Sequence, residues 1–239
     1  MKKLLVVKVG GATAAVPGRP GDFEDWILEG MQVERGEAWV VDVRSGAGLP
    51  SNGQVAGVVV PGSHASVTDR EPWSERTAVW LGAAVTSGTP VLGICYGHQL
   101  LAHALGGQVA DNPAGRQYGT VEVLLNGDGQ ADPLLGGLGA TIRVQALHRQ
   151  SVVRLPPGAQ LLAGSARDPH QAFRVGERAW GLQFHPEFDV RSMAALIAER
   201  RQELAAEGQD PDGLLSSLAD TPWGTRILSR FRRLVEGGG

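Results

Sequence analysis

Short continuous apolar runs, bounded by glycine, proline or charge, mark the first hundred positions of the chain. They predict buried strands over 4–9, 38–43, 55–60 and 91–94, the middle two rich in valine. Between these runs, mixed apolar and polar positions predict helices over 22–31, 72–85 and 97–105, with Pro72 at a position that favours helix initiation. Beyond Gly107 the texture changes. Shorter strands are expected over 121–125, 141–146, 160–163 and 171–175, separated by Gly and Pro turns, and these read as a small antiparallel patch attached to the main sheet. Another apolar run starts at Ala179 and ends in His185-Pro186-Glu187. A helix is expected over 190–204, a loop or helix start at Asp210-Pro-Asp-Gly, and further helices through Leu215 and on to Leu234. Residues 237–239, all glycine, are expected to be disordered.

Apolar strands alternating with helices indicate an α/β fold of three layers, with a mostly parallel central sheet flanked by helices. Neither an internal repeat nor a long linker interrupts the chain, so residues 1–239 read as a single domain whose C-terminal helical extension covers roughly 190–236.

Composition narrows the function classes. At 239 residues and 42% hydrophobic, the chain can bury a full core. A net charge of −3 with scattered basic residues argues against nucleic acid and anionic membrane surfaces as partners. A single cysteine excludes an internal disulfide and suits a reducing, cytoplasmic setting. The start, Met1-Lys-Lys-Leu-Leu-Val-Val, imitates a secretory signal with Ala12-Thr-Ala14 as a mock cleavage site. Lys8 ends that apolar run well short of the about 7–15 residues a signal needs, so it reads as a first strand. No stretch approaches the roughly 20 apolar residues of a membrane-spanning helix.

The densest chemistry lies in Pro90-Val-Leu-Gly-Ile-Cys95-Tyr-Gly97-His-Gln99. The only cysteine stands between an apolar strand and a helix start, with glycines two positions to either side. This is the cysteine form of a nucleophile elbow, in which small neighbours let strand and helix pass each other at a strained bend. Such a bend lifts the sulfur off the sheet edge towards a helix N-terminus, where aligned N–H groups favour a thiolate. A second segment supplies a base. Residues two apart in extended chain point the same way, so His185 and Glu187 can face one side together, with Pro186 restricting the backbone between them. A nucleophile needs a base in reach and a third group to orient that base. Cys95, His185 and Glu187 fit those roles.

Gly93-Ile-Cys95-Tyr-Gly97-His-Gln99 and Gly181-Leu-Gln-Phe-His185-Pro186-Glu187 resemble the two signatures of the class I, triad-type glutamine amidotransferases. Gly21-Asp-Phe-Glu-Asp-Trp, Pro61-Gly-Ser-His-Ala-Ser-Val and the C-terminal helices are similar to the stand-alone group related to the glutaminase domain of GMP synthase. The resemblance implies a flavodoxin-like fold and hydrolysis of the glutamine side-chain amide through a γ-glutamyl thioester. The backbone N–H of Tyr96, just after the nucleophile, is one expected oxyanion donor by elbow geometry. The resemblance points to Gly62 for the second, although Ser63 replaces the second glycine of the commoner Pro-Gly-Gly form. It also implies substrate contacts at Gln99 and, through backbone groups, at His148, Arg149 and Gln150, where the more usual Ser-His-Gly-Asp is absent. Three readings of the function stay open: a glutaminase feeding a separate ammonia-accepting synthetase, a stand-alone γ-glutamyl peptide hydrolase, or a non-catalytic module that kept the fold.

No metal or other cofactor is expected. His98 and His103 are five apart and face different sides of a helix, and one cysteine offers no zinc pattern. His64, His148 and His170 read as surface or loop residues. Gly10-Gly11 matches neither dinucleotide-binding nor phosphate-loop spacing. Trp26, Trp73 and Trp80 read as packing residues.

Overall fold

A computed structural model of the chain describes residues 2–12 and 15–237. In chain order, the first half comprises β1 (Lys3–Lys8), α1 (Phe23–Met31), β2 (Ala38–Asp42), β3 (Val55–Val60), α2 (Pro72–Thr86), β4 (Val91–Ile94) and α3 (Tyr96–Ala104). Next come β5 (Gln108–Asp111), β6 (Gln117–Leu125), α4 (Gly127–Ala131), β7 (Thr141–His148), β8 (Gln150–Arg154), β9 (Gln160–Gly164), β10 (Ala172–Val175) and β11 (Ala179–Leu182). Helices α5 (Val190–Glu199), α6 (Arg201–Ala206), α7 (Pro211–Ser216) and α8 (Trp223–Glu236) follow.

Nine strands form one mixed sheet in the order β2-β1-β3-β4-β11-β10-β9-β6-β7, and β5 pairs with β8 in a separate ribbon. The first five strands in that order run parallel, and the rest continue it antiparallel. Because successive side chains alternate in direction, each valine-rich strand feeds two cores. Leu4, Val6, Val59 and Leu92 pack with Ile27 of α1 and Ile227, Leu228 and Phe231 of α8. On the other face Leu5, Val7, Val58 and Val60 pack with Leu81 of α2 and Leu100 and Leu101 of α3. Both faces being covered explains why these strands read as continuous apolar runs. A third cluster, Phe23, Trp26, Phe188, Met193, Leu196 and Leu204, lies beneath α5 and α6. No helix among the described residues is long and apolar enough to cross a membrane.

The structure departs from the sequence pattern in four places. Strands β5 and β8 are half polar and pair only with each other, so neither carries a clear apolar run. Strands β6 and β7 extend to Gln117 and His148, further than their apolar residues suggest. The expected helix over 190–204 breaks at Arg200 into α5 and α6. The strand expected to run through His-Pro-Glu ends at Leu182 instead. Gly237 caps α8, while Gly238 and Gly239, expected to be disordered, lie outside the described residues, as do Thr13 and Ala14 of the mock cleavage site.

Candidate active site

Strands β3, β4 and β11 are neighbours in the parallel half, and the segments leaving their C-terminal ends converge. This is where ligands bind in open α/β sheets. Cys95 follows β4 directly and extends its ladder, its N–H donating to the Leu182 carbonyl at 2.8 Å. Its φ of 51° and ψ of −101° are rarely adopted by a side-chain-bearing residue. The glycines make the bend sterically feasible. A Cβ at Gly93 would collide with the Gly97 carbonyl, and one at Gly97 with the Val60 carbonyl. The sulfur is largely buried and lies 3.5 Å from the Leu147 carbonyl.

His185 enters from β11, held by its N–H to the Gln145 carbonyl at 2.8 Å. It pairs with Glu187 through a turn rather than an extended strand: Phe188 N–H returns to the His185 carbonyl at 3.3 Å, with Pro186 at the favoured second position. Local chain reversal, not alternation, therefore brings Nδ1 of His185 within 2.8 Å of Glu187 Oε1. Phe188 then stacks on the imidazole at 4.1 Å with planes 3° apart, fixing the ring. Among the described residues, Nε2 of His185 has no hydrogen-bond partner and is free to act. Burial alone would lower the His185 pKa, but the charges of Glu187 and Cys95 outweigh it and raise it to about 10. The ring is therefore held as an imidazolium at neutral pH.

Gly62 stands beside both groups. A Cβ there would lie 2.9 Å from His185 Cε1 and 3.8 Å from Cys95 Cβ, so only glycine leaves the space open. Ser63, the departure from Pro-Gly-Gly, donates its hydroxyl to the Val9 carbonyl at 2.7 Å and accepts from Ala65 N–H, pinning the loop to the end of β1. Neither Gly62 N–H nor Tyr96 N–H bonds to another main-chain group among the described residues, whereas Gly97 N–H is taken by the Pro61 carbonyl at 3.1 Å. The Tyr96 side chain is buried away from this corner, its hydroxyl 2.6 Å from Ser74 Oγ and its pKa pushed up to about 12 by burial.

A cavity of about 290 Å³ opens over Cys95. Gln99 lines it and donates through Nε2 to the Gln150 carbonyl at 2.8 Å and to Gln183 Oε1 at 3.0 Å. His148, Arg149 and Gln150 also reach the cavity, but their side chains are engaged elsewhere. His148 is not a surface residue as expected: it ends β7 and is buried, bonded to the Gln150 carbonyl and to Gln117 Oε1. Burial lowers its pKa. Arg149 turns outward to Asp111 at 2.7 Å, and the Gln150 amide reaches Thr68 and Asp111. What this corner offers the cavity is main chain. Of four further lining residues, His64 lies in the segment 61–67 after β3, whereas Arg116, Arg200 and Glu203 carry no local sequence signal, because the start of β6 and the α5–α6 corner bring them in from distant segments.

The family model for class-I glutamine amidotransferases matches residues 36–201, more than half of the chain. The chain belongs to the class-I glutamine amidotransferase family. Among curated relatives of this amidotransferase, a GMP synthase (glutamine-hydrolysing) from Thermomicrobium roseum is 44% identical over 142 residues, covering 59% of this chain and 25% of that protein. Another from Aeropyrum pernix is 39% identical over 142 residues, with the same two shares. The chain thus spans about a quarter of the length of these synthases. A solved glutamine amidotransferase from Thermotoga maritima shares the fold, with a TM-score of 0.75 at 22% identity over 99% of this chain and 98% of that one.

Proposed function

We propose that this amidotransferase hydrolyses the side-chain amide of glutamine through a Cys95 γ-glutamyl thioester, releasing glutamate and ammonia. The observation that carries the reading is the buried His185–Glu187 pair beside a cysteine held at positive φ, with Nε2 left unpartnered among the described residues. In this reading His185 holds the proton taken from Cys95. The sulfur attacks the amide carbon, and charge developing on the amide oxygen is met by Gly62 and Tyr96 N–H groups. The C–N bond breaks as His185 delivers its proton to the departing ammonia. A water, deprotonated by His185, attacks the thioester carbon; the C–S bond breaks, and glutamate leaves. Glu187 keeps the imidazole oriented and stabilises its charged form. Gln99 and the main chain at 148–150 bind the substrate.

The relatives' name, GMP synthase (glutamine-hydrolysing), supports an ammonia-accepting synthetase as the consumer of the product, and a cytoplasmic setting suits it. The test is glutamate release by the purified protein, with glutamine or a γ-glutamyl dipeptide as substrate. Cys95→Ala is expected to abolish turnover with an unchanged circular dichroism spectrum, and glutamate release surviving in that variant would refute the assignment. Faster turnover of the dipeptide would make the protein a γ-glutamyl peptide hydrolase instead.

A further inference from the structure

Three arginines line the cavity over Cys95: Arg116, Arg149 and Arg200. Two are neutralised by carboxylates. Arg116 holds Glu203 at 2.7 Å and Glu207 at 2.9 Å, and Arg149 holds Asp111 at 2.7 Å. Arg200 makes no ion pair among the described residues. Its Nη2 donates instead to His64 Nδ1 at 2.7 Å. Burial and the Arg200 charge both lower the His64 pKa, which favours the neutral ring that can accept this hydrogen bond. A neutral partner fixes the guanidinium without cancelling its charge, as a carboxylate would. Most of the five guanidinium N–H donors remain available. Of the acidic groups at this corner, Glu203 has its charge offset by Arg116, and Glu199, whose charge reaches His64, makes no ion pair with Arg200 among the described residues.

Arg200 sits at the break between α5 and α6, and that break turns the corner over the cavity mouth. We propose that Arg200 binds the α-carboxylate of the substrate's glutamyl head and so sets the specificity of the site, a role that rests on the hydrolase reading above. The planar guanidinium fork matches a carboxylate bidentately. In glutamine the α-carboxylate lies at the far end from the amide carbon, so anchoring it at Arg200 directs the amide towards Cys95. The same anchor serves any γ-glutamyl compound with a free α-carboxylate, whatever its amide nitrogen carries, and disfavours amides that lack the acid.

The test is calorimetric titration of two ligands, L-glutamine and 4-aminobutanamide (glutamine without its carboxylate), into Cys95→Ala and Cys95→Ala/Arg200→Ala. Arg200→Ala is expected to weaken glutamine binding by about 10- to 150-fold, the range for a hydrogen bond to a charged group, with Arg200→Lys recovering part of it. Binding of 4-aminobutanamide is expected to be weak and unchanged by the substitution. Glutamine affinity that is indifferent to Arg200, or absent from Cys95→Ala altogether, would overturn the proposal. So would an equal loss for both ligands, which would mean a deformed cavity. Failure of the hydrolase reading is seen separately, as no glutamate release by the unsubstituted protein. Arg200-dependent glutamine binding would then still stand.

Discussion

At the scale of single residues, the site is held in an unfavourable state by its surroundings. A cysteine at φ 51° and a fully buried imidazolium each cost free energy that neighbouring groups must offset. For His185 the offset is Glu187 and the Cys95 sulfur, and it has a measurable consequence. The folded protein keeps a proton on His185 up to about pH 10, whereas an unfolded histidine releases its proton near pH 6.5. The stabilisation is therefore complete below about pH 6.5 and is lost as pH rises through about 10. Glu187→Gln removes the larger of the two favourable charges, so its melting temperature is expected to fall less steeply between pH 6.5 and 9.5 than that of the unsubstituted protein. Parallel melting curves across that range would mean that the pair carries no such linkage. The cysteine, histidine and glutamate were legible because two short motifs carry them. Their geometry was only half legible, since the His185–Glu187 contact comes from a Pro186 turn and not from strand alternation.

At the scale of elements, legibility followed burial. Strands β3 and β4, buried along nearly their whole length, match their apolar runs residue for residue. Strands β5 and β8 escaped because their partly polar sequences are stabilised only by pairing with each other. The α5–α6 break escaped for a different reason. No proline or glycine marks it, and the contacts at the corner, Arg200 to His64 and Arg116 to Glu203, come from far along the chain. The elbow between β4 and α3 is the element on which the site depends most. Gly93→Ala would drive a methyl group into the Gly97 carbonyl, a backbone atom that cannot rotate away. A loss of about 1–3 kcal/mol in urea unfolding is expected, with reduced turnover. Gly36→Ala, with open space around it, is the matched control and is expected to stay within about 0.5 kcal/mol. If the two variants unfolded alike, steric crowding at the elbow would not be what demands glycine there.

At the scale of the whole molecule, the question is whether the C-terminal helices are part of the same cooperative unit. The family match ends at residue 201, before α8 begins. Yet Ile227, Leu228 and Phe231 of α8 are fully buried among residues of β1, β3, β4 and α1. Phe231 meets Trp180 of β11 edge-on at 6.2 Å, and Trp180 in turn bonds the buried Asp132. α8 therefore fills one face of the sheet whose C-terminal edge carries Cys95 and His185, and we infer that the sheet and the C-terminal helices unfold together. Phe231→Ala is expected to cost about 3–5 kcal/mol through the cavity it leaves. For a chain of this length that lowers the melting temperature by about 6–20 °C. Calorimetry should still record one transition. Glutamate release should be lost at the same lowered temperature. An early transition from the C-terminal helices, with glutamate release retained to the original temperature, would instead make α8 a separable appendage. The sheet would then have to be stable with that face uncovered, which the burial of Leu4, Val6, Val59 and Leu92 argues against.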